Sequence, residues 1–177
     1  TSDALVGLCD LMATFAELSG AKLTPQQAPD SISFAPVLRN PKRAGRRDLI
    51  MQSVGPFVVR EGDWKLCLCP GSGSHLHYGN TPRMDDAWRT ALKQFGKVPA
   101  WQDLDKAPFV QLFNVAKDPH EDRNLAAQEP KRVARMVKLL RQQISAGRST
   151  PGPKLTNDRP RININQRVPD FVRKQLK

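Results

Sequence analysis

Along the chain, the alternation of apolar and polar residues marks a small set of elements. Leu11, Met12, Phe15 and Leu18 recur at helical spacing behind Asp10, which is placed to cap, and Gly20 supplies a stop, so residues 10–19 are expected to be a helix. Asp3–Leu8 fits a strand or a helix start equally well. Residues 21–47 hold four prolines and the basic run Lys42–Arg47 and read as loop. Strands are expected at about 48–53, 57–60, 64–69 and 109–115, the second and third joined as a hairpin through Glu61-Gly62-Asp63. Asp118-Pro119 marks a turn after the fourth strand, and Asn124 stands where it would cap the next element. The loop 70–82 is rich in glycine. A further helix opens at Asp85-Asp86, carries Trp88, Leu92 and Phe95 on one stripe, and stops at Gly96. Lys131–Ala146 is the last helix, with the stripe Val133, Met136, Val137, Leu140 and Ile144 and a stop at Gly147. Beyond it, 148–177 shifts to Pro, Gly, Asn and Arg and reads as a largely extended basic tail.

A hairpin, a third and fourth run, and one amphipathic helix predict an α+β fold: a small antiparallel sheet with the 131–146 helix on one face. The 10–19 helix has no evident partner in this plan and is expected to pack on something else.

Composition narrows the class. The chain has 177 residues, 39% hydrophobic and 25% charged, with fifteen prolines that argue against a helical bundle. No apolar run approaches the roughly 20 residues of a membrane span, and Thr1-Ser-Asp does not read as a secretory signal. Cys9, Cys67 and Cys69 make neither a disulfide framework nor a zinc pair. Cys67 and Cys69 alternate with Leu66 and Leu68, so both are expected on one buried sheet face. The net charge of +11 lies wholly in residues 123–177, where fourteen Lys/Arg meet only Glu129, Asp158 and Asp170. Such polarisation suits a polyanion partner or a solvated helix face with a tail. A nucleic-acid reading lacks the exposed aromatics that base stacking uses and remains the alternative function, as a basic polyanion- or nucleic-acid-binding module.

Three motifs in order carry a resemblance: Asp10-Leu11-x-x-Thr14, Gly62-Asp63-Trp64-Lys65-Leu66, and Asp118-Pro119 with Glu121 and Asn124-Leu125-Ala126. Over about residues 3–147 the chain resembles the C-terminal subdomain of a sulfatase, of the bacterial arylsulfatase-like branch of the alkaline-phosphatase-like superfamily. Ala13 departs from the proline usual in the first motif. The resemblance divides the chain into the end of a catalytic domain (1–20), a loop (21–47), the C-terminal subdomain (48–147, with an insertion at 70–108) and the basic tail (148–177). It implies a sulfuric ester hydrolase using formylglycine and calcium, acting on an aryl sulfate or sulfated carbohydrate, with a periplasmic or secreted location for the full-length enzyme. The family nucleophile lies in Cys/Ser-x-Pro-x-Arg. No such motif occurs here, the nearest miss being Ser149-Thr150-Pro151-Gly152-Pro153. Catalytic and metal residues are therefore expected to lie outside the chain, which is expected to be inactive alone. His75, His77 and Tyr78 are the candidate rim toward substrate. A metal site at the two histidines would need a third ligand that the loop does not provide.

Overall fold

The computed structural model describes residues 1–52, 57–69 and 110–164. Its elements, in chain order, are a 3-10 turn (Leu8–Asp10), α1 (Leu11–Ser19), α2 (Ala35–Arg39), β1 (Asp48–Gln52), β2 (Phe57–Glu61), β3 (Trp64–Leu68), β4 (Val110–Asn114) and α3 (Pro130–Ala146). The four strands form one antiparallel sheet in the order β1-β2-β3-β4.

The hairpin closes tightly. Glu61 pairs with Trp64, leaving only Gly62 and Asp63 to turn, and Gly62 takes φ of 56°. Such a two-residue turn needs a left-handed residue at its start, and glycine adopts that conformation without a Cβ penalty.

Side-chain alternation then sorts the sheet. Phe57, Val59, Leu66, Leu68 and Leu112 face α3 and close around its buried Met136 and Leu140. Val133, Val137 and Ile144 flank them, so the whole predicted stripe lies on the core side. Covering each such side chain stabilises the fold by about 1.5–3 kcal/mol. Val58, Cys67, Cys69 and Phe113 form a second cluster on the opposite face, and both cysteines are fully buried, as their alternation predicts. Arg132, in the first turn of α3, lies 4.0 Å over the Trp64 ring, using its cation to cover the indole.

Several local expectations change. The 21–47 segment contains α2. Asp10 does not cap α1 with its side chain, because more distant donors at Ile32 and Arg46 draw its carboxylate away. Asn124 caps no helix: its Oδ1 accepts from Leu112 N and Ala126 N, and its Nδ2 donates to Val110 O. It thereby satisfies the outer edge of β4, whose backbone groups would otherwise lack partners.

The tail is largely anchored as far as residue 164. Leu155 N donates to Ala146 O, Asn157 Nδ2 donates to Ile144 O at 2.7 Å, and Ile162 and Ile164 pack on the core. Gly147, which ends α3 at φ of 65°, permits this return, because a Cβ there would run into the Leu155 carbonyl. The 85–96 helix and the rest of the tail lie outside the described residues. No helix among the described residues is long and apolar enough to cross a membrane.

Candidate functional site

Two polar assemblies organise the chain. The first joins the second and third sequence motifs. Lys65, on the sheet face opposite α3, donates to both carboxylate oxygens of Glu121, at 2.7 and 2.8 Å. The turn that delivers Glu121 is built by Asp118, whose carboxylate accepts from Asp122 N at 3.1 Å and Arg123 N at 3.0 Å. Those backbone donors, led by Arg123, hold the Asp118 carboxyl below its ordinary range. Glu121 sits at φ of 59°, a region that disfavours residues bearing a Cβ.

The second assembly centres on Arg46. Its side chain and that of Asp10 are 2% and 1% exposed, and the two meet at 2.7 Å. Asp10 also accepts from Gly7 N at 2.8 Å and Ile32 N at 2.9 Å, while Thr14 Oγ1 accepts from Phe34 N. The motif at Asp10 and Thr14 therefore clamps the 31–34 segment against the start of α1. Arg46 further donates to Asp48 O, to Cys9 Sγ at 3.1 Å and to Ser149 Oγ at 3.3 Å. A buried cation demands this degree of satisfaction. The adjoining loop is tied to the tail as well: Ser149 N donates to Asp30 Oδ1 at 2.7 Å and Thr150 Oγ1 donates to Pro29 O at 2.6 Å.

Arg46 is legible in the sequence only as part of a surface charge run, and Ser149 only as part of a failed nucleophile motif. No local signal separates a buried arginine from an exposed one when its partners lie 36 and 103 residues away.

Beside Arg46 runs an open cleft between β1, the C-terminal end of α3 and the returning tail, with Arg148, Arg159 and Arg161 in its lining. His75, His77 and Tyr78 lie outside the described residues, so the expected rim is not located relative to this cleft.

The described residues do not fit formylglycine or calcium chemistry. Asp10 spends its carboxylate on Gly7, Ile32 and Arg46. Burial, followed by the Asp10 charge, raises the Cys9 thiol above its ordinary value despite the opposing guanidinium of Arg46. Burial pushes Cys67 up further. A thiol held protonated is a poor nucleophile. Among the described residues no group of three or more His, Cys, Asp or Glu is placed to hold a metal ion. No reaction step is accordingly assigned to these side chains.

No protein-family model matches the sequence, and no curated protein matches it. Solved structures do. One, from work on the metabolism of multiple glycosaminoglycans by Bacteroides thetaiotaomicron and labelled a 6S-sulf protein, is 22% identical over 80% of this chain and 25% of its own, with a TM-score of 0.56. Ps i-CgsB, solved with k-i-k-neocarrahexaose, is 21% identical over 78% of this chain and 24% of its own, with a TM-score of 0.47. A third, bound to its substrate D-glucosamine-2-N,6-O-disulfate, is 16% identical over 76% of this chain and 23% of its own, with a TM-score of 0.43. This chain spans about a quarter of the length of each of these three proteins. The first likeness carries the fold: the chain has a sulfatase-related fold.

Proposed function

We propose that this chain is the C-terminal part of a sulfate-ester hydrolase, of the arylsulfatase-like kind, whose formylglycine and calcium site reside in a separate catalytic domain. The observation that carries the reading is an uncovered apolar face on a sulfatase-related fold. Leu8, Met12, Phe15 and Leu18 follow one another at helical spacing and are 50–88% exposed, and Leu38 on α2 is 59% exposed. The only fully buried side chain of α1 is Thr14. A helix that buries Thr14 while showing Met12, Phe15 and Leu18 presents an apolar docking surface. In this reading the catalytic domain covers that face, and the substrate is an aryl sulfate or sulfated carbohydrate met in the periplasm or outside the cell.

Two measurements test it. The reading frame upstream of the Thr1 codon should contain Cys/Ser-x-Pro-x-Arg, and its full product should hydrolyse a chromogenic aryl sulfate with calcium. In that product Phe15→Glu should abolish activity, while in the 177-residue chain it should leave the thermal midpoint unchanged. A frame without the motif would refute the reading.

A further inference from the structure

We infer that the open edge of β1 is a docking site for an extended acidic segment of a protein partner, which adds to the sheet as a further strand. The inference does not depend on the catalytic reading, because it concerns the backbone of β1 and the cleft beside it.

The two edges of the sheet are treated differently. At β4 the outward groups are closed off: Leu125 N donates to Leu112 O at 2.7 Å, and the Asn124 amide serves Leu112 N and Val110 O. At β1 the ladder shows which groups face out. Gly62 N donates to Arg47 O, and Leu49 and Met51 continue that bonding phase opposite Arg60 and Val58. Asp48 and Ile50 therefore turn their N–H and C=O groups away from β2. Asp48 O accepts from Arg46 Nε. Ile50 N and O take no bond from any described residue on that side, so the middle of the edge is open. Such an edge is a template for strand addition.

Arg46, which reaches the outward Asp48 O, also lines the cleft, so the cleft runs along this side of β1 with the returning tail across from it. Its volume of about 1110 Å³ gives room for several residues of extended chain.

Charge and facing define the occupant. Ile50 points to the α3 side, where it packs on the cluster of Phe57 and Val59, and Ile162 holds the tail on that same side. Arg148, Arg159 and Arg161 arrive with the tail and outnumber Asp30 and Asp158 in the lining. None of the three forms an ion pair with a described residue. Arg148 is 7% exposed, yet it donates only to uncharged groups, Thr150 O, Thr150 Oγ1 and Pro153 O. A buried cation of this kind is short of a carboxylate. In an antiparallel addition the residue paired with Ile50 shares its face, so carboxylates there and at every second position turn toward the arginines. The intervening positions lie on the side of Leu49 and Met51, the latter 39% exposed, and suit apolar side chains. The partner strand thus alternates acidic and apolar residues. A second copy of the chain, itself at +11, would bring its own arginines against these. Residues 165–177 are equally unsuited, with Arg167, Arg173, Lys174 and Lys177 against Asp170 alone.

The test is calorimetric titration of the 177-residue chain with a capped peptide of alternating valine and glutamate. The peptide should bind. N-methylation of its glutamates, whose N–H groups face β1, should weaken binding by about tenfold or more. N-methylation of its valines, whose N–H groups face away, should change it by less than about twofold. The reverse order would overturn the assigned facing, and equal effects would overturn strand addition. Arg159→Ala/Arg161→Ala should weaken binding by about tenfold or more, whereas Lys131→Ala/Lys138→Ala, on exposed α3 positions, should change it by less than about twofold. Ile50→Pro removes the edge donor but none of the bonds to β2, and should abolish binding with an unchanged circular dichroism spectrum. Should that variant unfold, the two N-methylated peptides still decide the question on the unaltered chain. No binding of the alternating peptide, or equal binding of one with its glutamates grouped at one end, would overturn the proposal. So would full displacement by millimolar inorganic sulfate, which would reduce the site to one for an anion, or a dimer in sedimentation that the peptide dissociates, which would give the edge to a second copy.

Discussion

Lys65 Nζ lies 2.7 Å from Glu121 Oε1, so the hairpin motif and the Asp118-Pro119 motif are two halves of one ion pair across 56 residues. The side chains are 18% and 17% exposed, shielded enough for the pair to matter but not dry. The neighbouring bonds of Asn124 to Leu112 N and Val110 O continue the same seam along β4.

Removing one partner should therefore leave the other partly desolvated. Glu121→Ala is expected to lower unfolding stability by about 1–3 kcal/mol. Glu121→Gly should lose less, by about 1 kcal/mol, because glycine relieves the left-handed backbone at that position. Urea denaturation of both variants checks the pair and the strain separately. An unchanged midpoint for Glu121→Ala would show that the pair stabilises nothing.

Arg46 is the more demanding site. Arg46→Met strands the buried Asp10 carboxylate and should cost about 3–5 kcal/mol. Arg46→Lys should recover only part of this, since one ammonium cannot reach Asp10, Asp48 O and Ser149 together. Thermal melts of the two variants give the comparison; equal stability of lysine and arginine at this position would deny the multi-point role.

Leu140 is fully buried between α3 and the sheet. Leu140→Asp should unfold the sheet–helix unit, and Leu140→Ala should cost about 2–5 kcal/mol. An unchanged far-ultraviolet circular dichroism spectrum for Leu140→Asp would mean that α3 is not the core element described.

Asp118 predicts a pH dependence. Its folded carboxyl titrates below the ordinary value of 3.8, chiefly because of the Arg123 and Asp122 backbone donors. The contribution is therefore complete above that ordinary value and is lost as pH falls through the lower, folded one. Asp118→Asn should flatten the part of the acid-stability curve below about pH 4. Identical acid limbs for the two proteins would show that Asp118 has no share in acid stability.

The chain by itself should release no product from a chromogenic aryl sulfate with calcium present. Calcium-dependent turnover abolished at Cys67 or Cys69 would place an active site where burial now argues against one.

Local pattern determined the regular part of this protein. The β2–β3 hairpin is legible because a two-residue glycine turn leaves the flanking strands one register, and that register assigns every side chain to a face. The α3 stripe is legible because helical spacing alone gathers Met136, Leu140 and their neighbours. Tertiary structure decided what local pattern does not encode. Asp10 looks like a helix cap, yet it serves donors at Ile32 and Arg46. The segment after Gly147 has no period to read, yet irregular hydrogen bonds to Pro29, Asp30, Ile144 and Ala146 hold it down. The stripe on α1 showed that the helix is amphipathic, but period says nothing about which face is covered. Only the packing reveals that α1 buries Thr14 and leaves Met12, Phe15 and Leu18 exposed, because burial depends on neighbours that the chain brings from elsewhere.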